Sequence, residues 1–321
     1  MTGTMKAAVI TAPLCLEVRE VPIPEIGPEE LLIQLSGCGV CASNVPPWEG
    51  REWFSYPMAP GQLGHEGWGR VVDYGENCGS FWNGAEVAFL SNHAYAQFDR
   101  AHMDSVVVLP SALDDKPFPG EPLGCALNIW NRSEVKAGDT VAIVGIGFLG
   151  ALLVQFAKAR GARVIAISRR EFSLGFARDF GADETIVMDD EGRIIERVKE
   201  LTDGRLCDVV IECVGKQWPL DLSSELCRER GRLVIAGYHQ DGPRQVNMQQ
   251  WNWRGLDVIN AHERELSVYT RGMSQAAQEV ADGRLNPSPL YTDTFSLDEL
   301  AVALEKTRTR PDGFMKALVR F

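Results

Sequence analysis

The chain has 321 residues, 45% of them apolar and 24% charged, which is typical of an ordinary soluble globular protein and is long enough for two domains. Asp and Glu number 44 against 32 Lys and Arg, and the net charge of -12 argues against a protein that binds nucleic acid or an anionic membrane. No segment has the apolar length of a signal peptide or a membrane span, so a cytoplasmic protein is expected.

The first third of the chain predicts strands without intervening helices. Short runs rich in apolar and β-branched residues, separated by turn residues, predict strands at 16–21, 30–35, 69–74 and 86–89. This part is therefore predicted to be mostly β.

From about residue 139 the pattern alternates between strands and helices. Strands are predicted at 141–144, 163–167, 208–211 and 232–236, and helices at 148–160 and 171–180. Such alternation predicts an α/β fold with a parallel sheet and crossover helices. Two more helices are predicted at 267–282 and 297–307, before a last strand at 314–321 that need not join the parallel sheet.

The strand at 141–144 leads directly into a glycine-rich turn, G-I-G-F-L-G at 145–150, and then into a helix. Glycines in this pattern permit a tight turn, a close approach of backbone to phosphate and close packing of helix on strand, and the helix start favours negative charge. The same pattern also occurs as a plain packing turn. Its context here favours a dinucleotide pyrophosphate, with binding residues Gly145, Gly147, Phe148, Leu149 and Gly150.

The end of the next strand bears on which dinucleotide binds. An NAD site usually has Asp or Glu about 20 residues after the glycine turn, but here Ser168 is followed by Arg169 and Arg170. A guanidinium can hold a phosphate through two parallel hydrogen bonds. We therefore predict NADP(H) rather than NAD(H); the alternative is a solvated arginine pair.

A candidate metal site precedes the dinucleotide motif. The eight cysteines are scattered, which favours thiols or metal ligands over disulfides in a reducing compartment. Cys38 and Cys41 form a C-x-x-C pair, and His65 and Glu66 follow. The pair alone is compatible with two buried thiols, and His65 alone with an ordinary hydrogen-bonded histidine. Together, thiolate, imidazole and carboxylate are the ligands of a zinc site with an open position.

The motifs at 39–44, 64–71, 121–123 and 145–150 resemble, in order and approximate spacing, those of the zinc-type medium-chain dehydrogenases, and the resemblance runs from residue 6 to 321. It implies a GroES-like, mostly-β catalytic domain at 1–122 and 266–321. It also implies a Rossmann domain with a doubly wound parallel sheet at 123–265. A small alcohol or carbonyl substrate and a homodimer or homotetramer are implied as well.

The resemblance further implies one catalytic zinc per chain, with four protein positions around it: Cys41, His65, Glu66 and Glu121. Cys125 is an alternative to Glu121, since the two lie one helical turn apart. A second, structural zinc needs four closely spaced cysteines, and only Cys78 lies between Glu66 and Glu121. One zinc at most is therefore predicted.

Among the catalytic residues, Ser43 is implied to pass a proton from the alcohol to the cofactor ribose, although a serine here is also a good helix N-cap. Many relatives have Asp at the position of Asn44 and a histidine at that of Pro46, so the proton's exit route stays open. Three more cofactor contacts are implied: Val214 and Gly237 beside the nicotinamide, and Lys316 on the pyrophosphate. An exposed strand lysine is the alternative for Lys316.

These features predict an enzyme that transfers a hydride between NADP(H) and a secondary alcohol or polyol, or the matching ketone or aldehyde. The residues at 45–51 and 121–123 resemble the polyol-dehydrogenase branch. One alternative is a zinc-free, NADPH-dependent quinone or enoyl reductase, against which the complete ligand set argues. The other is a non-catalytic NADPH-binding protein, which Asn44 and Pro46 leave open.

Overall fold

The structure, a computed structural model, describes residues 3–321. Its internal contacts divide the chain into two compact units. The first contains the residues up to Gly124 together with Arg264–Gly283 and Pro287–Phe321. The second contains Cys125–Glu263 and Arg284–Asn286. The sequence of the first unit is thus interrupted by that of the second.

The described residues ahead of Gly120 form mainly strands, as the turn-separated apolar runs predict. These are β1 (Thr4–Ala12), β2 (Cys15–Pro22), β3 (Glu30–Gly39), β4 (Gly67–Tyr74), β5 (Glu86–Phe89), β6 (Phe98–His102) and β7 (Val106–Val108), with a short helix α1 (Val45–Glu49) after β3. β1 and β2 pair as an antiparallel hairpin. β3 is largely buried, and its Leu31, Leu32 and Ile33 are almost fully enclosed.

The middle of the chain alternates strands and helices. In order these are α2 (Gly120–Ser133), β8 (Thr140–Val144), α3 (Phe148–Ala159), β9 (Arg163–Ser168), α4 (Glu171–Asp179), β10 (Glu184–Val187), α5 (Glu191–Leu201), β11 (Cys207–Glu212), α6 (Gln217–Leu226), β12 (Cys227–Ile235), α7 (Met248–Arg254) and β13 (Asp257–Asn260). The sheet order is β10-β9-β8-β11-β12-β13, with all pairs parallel. The predicted doubly wound sheet is confirmed, and its order reverses between β8 and β11, where such folds bind ligands.

The chain then returns to the first unit through α8 (Leu266–Ala281), β14 (Tyr291–Ser296), α9 (Leu300–Thr309) and β15 (Lys316–Arg320). The larger sheet of this unit has the order β14-β15-β3-β4-β5-β7, with β6 also paired to β3. β15 runs antiparallel to β3, and Val319 lies opposite Cys38. The last strand of the chain therefore lies beside the strand that leads to Cys41.

Two general expectations can be compared with the described residues. All eight cysteines are free thiols in the structure. Within residues 3–321, none of the helices is both long enough and apolar enough to cross a membrane.

Candidate active site

Strand pairing brings three of the predicted metal ligands together. β3 and β4 are antiparallel, and Cys38 near the end of β3 lies opposite Gly67 at the start of β4. Residues just after β3 and just before β4 must therefore meet at one edge of the sheet. As a result, Cys41, His65 and Glu66 form a cluster whose potential ligand atoms all lie within 4.8 Å of one another.

The imidazole of His65 is oriented by the backbone of its own loop. Nδ1 lies 2.8 Å from the carbonyl oxygen of Leu63 and donates to it. Leu63 has a φ of 80°, in the left-handed region that is unfavourable for a leucine, and its carbonyl is thereby part of a strained loop conformation. Since Nδ1 is the donor, Nε2 is the nitrogen available to a metal. Ser43 Oγ lies 3.5 Å from that Nε2.

Glu66 is paired with a residue from the far end of the chain. Its side chain is fully enclosed, and Lys316, which is 5% exposed, places Nζ 2.7 Å from Oε1 and 2.5 Å from Oε2. The contact with Oε2 lacks hydrogen-bond geometry, and this buried oxygen has no hydrogen-bond partner among the described residues. A Cβ atom at Gly39 would lie 1.8 Å from Oε2, so this position must be glycine for Glu66 to fit.

Glu121 is not a member of the three-residue cluster. It lies in the first turn of α2, and its Oε1 accepts a short hydrogen bond from the hydroxyl of Tyr269 on α8. It is nevertheless close enough for its charge to act on His65. Cys125, the alternative ligand, is half-buried and also lies outside the cluster. A fourth protein ligand therefore stays a prediction.

An excess of negative charge raises the pKa of the two basic groups of the site, His65 and Lys316, against the effect of burial. Burial by itself lowers the pKa of His65, but a hydrogen bond with Cys41 and the charges of Cys41, Glu121 and Glu66 raise it to about 10. Burial likewise opposes the charge of Lys316, yet the charges of Glu66, Cys41 and Glu121 raise its pKa. Carboxylates and a thiol, gathered around an orphaned buried oxygen, are what a divalent cation neutralises. The residues present thus fit a zinc ion.

The two positions that depart from the family pattern are buried. Asn44 is 1% exposed and donates through Nδ2 to the hydroxyl of Tyr95 at 2.7 Å. That hydroxyl donates in turn to the carbonyl oxygen of Gly39 at 3.3 Å. Asn44 thus ties the loop after Cys41 to the end of β3. Pro46 is enclosed in α1.

Ser43 does not cap a helix as its alternative role requires. It lies inside a short 3-10 turn, Ala42–Asn44, whose N-cap is Cys41, and the residue before α1 is Asn44. The hydroxyl of half-buried Ser43 therefore contacts His65 rather than a helix terminus.

The predicted phosphate-binding residues lie together at the carboxyl edge of the parallel sheet. Gly145 follows β8 with a φ of 101°, and a Cβ atom at Gly150 would lie 2.1 Å from the Gly145 carbonyl oxygen. These two glycines are therefore needed for the turn and for the close approach of α3. A Cβ atom at Gly147 would meet nothing within 4 Å, which leaves space above this residue; Phe148 and Leu149 begin α3.

The arginine pair occupies the same edge. β8 and β9 are adjacent and parallel, with Val144 opposite Ile167, so Ser168 to Arg170 end beside the glycine turn. Ser168 is buried, Arg169 is exposed, and Arg170 is the half-buried N-cap of α4.

Val214 and Gly237 follow β11 and β12 at the carboxyl edge of the same sheet. A Cβ atom at Gly145 would lie 2.5 Å from Val214 Cγ2, so Val214 packs directly against the glycine turn. Lys316 is placed differently, on β15 in the first unit and bound to Glu66. It is not an exposed strand lysine, and its contact with the pyrophosphate stays a prediction.

The interpretation of the sequence missed several polar residues that shape these sites. Tyr95 and Tyr269 hydrogen-bond around the cluster, and Glu212, His239 and Arg244 do so at the end of β11. Isolated tyrosines carry no signal of this role. Of these residues, only Glu212 carried a signal in the sequence. It is a carboxylate at the end of a buried strand, and a buried charge needs partners.

Fold and site together define a zinc-type dehydrogenase with a mostly-β unit and a Rossmann unit. The family model described as "Alcohol dehydrogenase GroES-like domain" matches residues 27–111, and the one described as "Zinc-binding dehydrogenase" matches residues 149–282. Together they span more than half of the chain, which therefore belongs to the zinc-type medium-chain alcohol dehydrogenase family. The predicted family is confirmed, and the protein is an oxidoreductase that acts on small molecules.

Individual relatives agree with this assignment. A sorbitol dehydrogenase from Halalkalibacterium halodurans is 27% identical over 315 residues, covering 88% of this chain and 89% of its own. An (R,R)-butanediol dehydrogenase from Neisseria gonorrhoeae is 26% identical over 342 residues, covering 92% of this chain and 93% of its own. A solved zinc-binding dehydrogenase from Sinorhizobium meliloti 1021, bound to NADP, superposes with a TM-score of 0.87 at 27% identity, covering 99% of this chain and all of that one.

Proposed function

We propose that this protein is a zinc-dependent dehydrogenase that transfers a hydride between NADP(H) and a secondary alcohol or polyol, or the matching carbonyl compound. The cluster of half-buried Cys41 and His65 with buried Glu66 carries the proposal, because its ligand atoms lie within 4.8 Å of one another and one Glu66 oxygen lacks a hydrogen-bond partner among the described residues. These three residues would hold the zinc, with Glu121 or a solvent molecule completing the site. A zinc ion bound there polarises the substrate oxygen and favours its deprotonated form.

We assign Ser43 as the residue that accepts the proton of the substrate hydroxyl. Its Oγ is half-buried and 3.5 Å from the metal-facing nitrogen of His65, so a hydroxyl group held in front of the cluster lies within its reach. Ser43 can accept that proton while donating its own to the cofactor ribose or to water. Asn44 is committed to Tyr95 and Pro46 has no donor, so neither supplies the next carrier.

The preference for NADP(H) rests on the edge formed by Ser168, Arg169 and Arg170. Ser168, and not a carboxylate, ends β9, and the two arginines that follow it leave the strand beside the glycine turn. The NADP bound to the Sinorhizobium meliloti protein supports the same choice.

The proposed substrate class rests on the relatives and on one polar pair. Sorbitol and (R,R)-butanediol, named in the two relatives, both carry secondary hydroxyl groups. Glu121 and the hydroxyl of Tyr269 add a carboxylate and a phenol near the cluster, a wall that suits a polyhydroxylated molecule better than an aliphatic alcohol. We also propose a cytoplasmic homodimer or homotetramer, which light scattering on the purified protein would test.

One experiment tests the proposed function as a whole. The purified protein is assayed for zinc content and screened against polyols, secondary alcohols and their ketones with NADP(H) and NAD(H). We expect about one zinc per chain and turnover of a polyol or its ketone. Reduction of quinones or enoyl compounds by zinc-free protein would support the reductase alternative. Bound zinc without any turnover would support the non-catalytic one.

The role of Ser43 gives a specific prediction. In Ser43→Ala, kcat is expected to fall by about a hundredfold, the usual contribution of a positioned proton carrier, with KM and zinc content little changed. Ser43→Thr keeps the hydroxyl and serves as the matched control, with a kcat within a few fold of the wild type. An alanine variant as active as the threonine variant would remove Ser43 from the proton path.

The cofactor preference gives a second specific prediction. In the double variant Arg169→Ala and Arg170→Ala, the Kd of NADPH is expected to rise by about tenfold or more, because hydrogen bonds to a charged phosphate are lost, while that of NADH stays nearly unchanged. Arg160→Ala is the control, an exposed arginine after α3 at the opposite edge of the sheet. Equal loss of both cofactors, or of neither, would contradict the 2′-phosphate contact.

A further inference from the structure

A chain of charged side chains in the second unit connects the loops that follow β11 and β12. Glu212, the last residue of β11, is fully buried. Its Oε1 accepts the backbone N–H groups of Val214 and Gly215, both at 2.7 Å. Its Oε2 accepts from Nε2 of His239, in the next loop, at 3.1 Å. One carboxylate thus holds both loops.

The backbones of the two loops also touch. The Glu212 carbonyl oxygen accepts from the N–H of Ala236 at 2.9 Å and of Gly237 at 2.8 Å. A Cβ atom at Gly237 would lie 2.3 Å from the nitrogen of Gly215 and 2.6 Å from Glu212 Oε2. A movement of the His239 loop therefore displaces the backbone at Val214 and Gly215.

Arg244 determines which nitrogen of His239 carries the proton. Its Nε donates to Nδ1 of His239 at 2.8 Å. A guanidinium group only donates, so Nδ1 must present its lone pair, and Nε2 carries the proton that Glu212 accepts. Arg244 also donates to the carbonyl oxygen of Gly215 at 2.9 Å, and Asp241 accepts from both Arg244 and Lys216.

These hydrogen bonds all run in one direction, from a cationic side chain to an anionic one. The side chains of Arg244 and His239 are each only 15% exposed and that of Glu212 is fully enclosed, so the imidazole links the two charges where little water reaches them. In such surroundings a hydrogen bond to a charged group is strong, and losing one partner leaves the buried carboxylate unsatisfied.

We propose that His239 and Arg244 are positioning residues for the nicotinamide half of the cofactor. Arg244 fixes the imidazole, the imidazole fixes Glu212, and Glu212 fixes the backbone at Val214 and Gly215. This inference rests on the proposed dinucleotide function, in which Val214 and Gly237 contact the nicotinamide end. The adenosine end, at Ser168 to Arg170 after β9, lies two strands away from β11 in the sheet.

The test compares the whole cofactor with its adenosine half. In His239→Leu, the Kd of NADPH, measured by fluorescence titration, is expected to rise by about tenfold or more, the cost of one hydrogen bond to a buried charge. The Kd of 2′,5′-ADP, which lacks the nicotinamide half, should stay within about twofold of the wild type. His239→Gln, whose amide can accept from Arg244 and donate to Glu212, should restore most of the NADPH affinity.

Arg244→Met is the second variant, should His239→Leu fail to fold, and the same split between NADPH and 2′,5′-ADP is expected. Arg160→Met is the matched control and should change neither. If the Kd values of NADPH and 2′,5′-ADP rose by the same factor, the positioning role would be overturned. Unchanged NADPH binding in a folded variant would overturn it as well. If the wild type prefers NADH, then NADH and ADP replace the two probes. Wild-type protein that binds neither dinucleotide would instead refute the proposed function, and this role with it.

Discussion

Cys41→Ser is expected to abolish both metal binding and turnover. Outer partners of metal ligands already account for about a 10–100-fold loss in affinity or activity when they are replaced, so loss of a thiolate ligand should exceed about a hundredfold in kcat/KM. Zinc measured by plasma mass spectrometry should fall below about a tenth of an equivalent per chain after dialysis. The reason is geometric, since Cys41 supplies the only thiolate of the cluster that strand pairing assembles.

The matched control for this variant is Cys38→Ser. Cys38 belongs to the same C-x-x-C pair, but it is buried within β3, where its Sγ donates to the Gly39 carbonyl oxygen, and it is outside the cluster. Burial raises the pKa of Cys38, helped by the charge of Glu66, so it is a neutral thiol. Full zinc content is expected. If Cys38→Ser lost zinc as completely as Cys41→Ser, the pair and not the cluster would hold the metal.

Lys316→Met is expected to lower the free energy of unfolding of the zinc-free protein by about 3–5 kcal/mol, because removing one partner leaves the other charge buried and unpaired. Glu66 would retain a fully enclosed carboxylate whose Oε2 has no hydrogen bond. Urea unfolding of chelator-treated protein provides the measurement. Adding Glu66→Gln to Lys316→Met should recover most of the loss, since the uncompensated charge is then gone.

Lys306→Met provides the comparison. Lys306 pairs with Asp293 in the same unit, but its side chain is 41% exposed. Because the lysine of this pair is largely solvated, removing it should change the free energy of unfolding by less than about 1 kcal/mol. A loss for Lys316→Met no larger than that of Lys306→Met would mean that the Glu66 carboxylate is not held as an anion in the zinc-free protein.

The two roles of Glu66, as partner of Lys316 and as metal ligand, are compatible. Lys316 contacts both carboxylate oxygens, but only the contact with Oε1 has hydrogen-bond geometry, so Oε2 retains lone pairs for a cation. Gly39 leaves the space in which that oxygen lies. The ammonium group therefore orients the carboxylate without saturating it.

Local patterns predicted the parallel sheet well because each of its signals lies within a few residues. The strand ending at Val144, the glycine turn and α3 follow one another without interruption, and the alternation from β8 to β12 reflects buried strands separated by amphipathic helices. The missed strands were short. β10 and β13 contain four residues each, and none of those residues is buried, so neither has the apolar run that indicates the other strands of this sheet.

The amino-acid sequence alone specifies which chemical groups are available: a thiolate, an imidazole and a carboxylate on either side of a strand pair, and a glycine turn followed by arginines. Long-range folding then selects which of these groups meet. Lys316 reaches Glu66 across 250 residues because β15 pairs with β3, and Glu121 is bound by Tyr269 because the first turn of α2 belongs to the same unit as α8. The burial of these charged side chains, which sets the strength of their interactions, arises from long-range packing that no local pattern around Glu66 or Lys316 indicates.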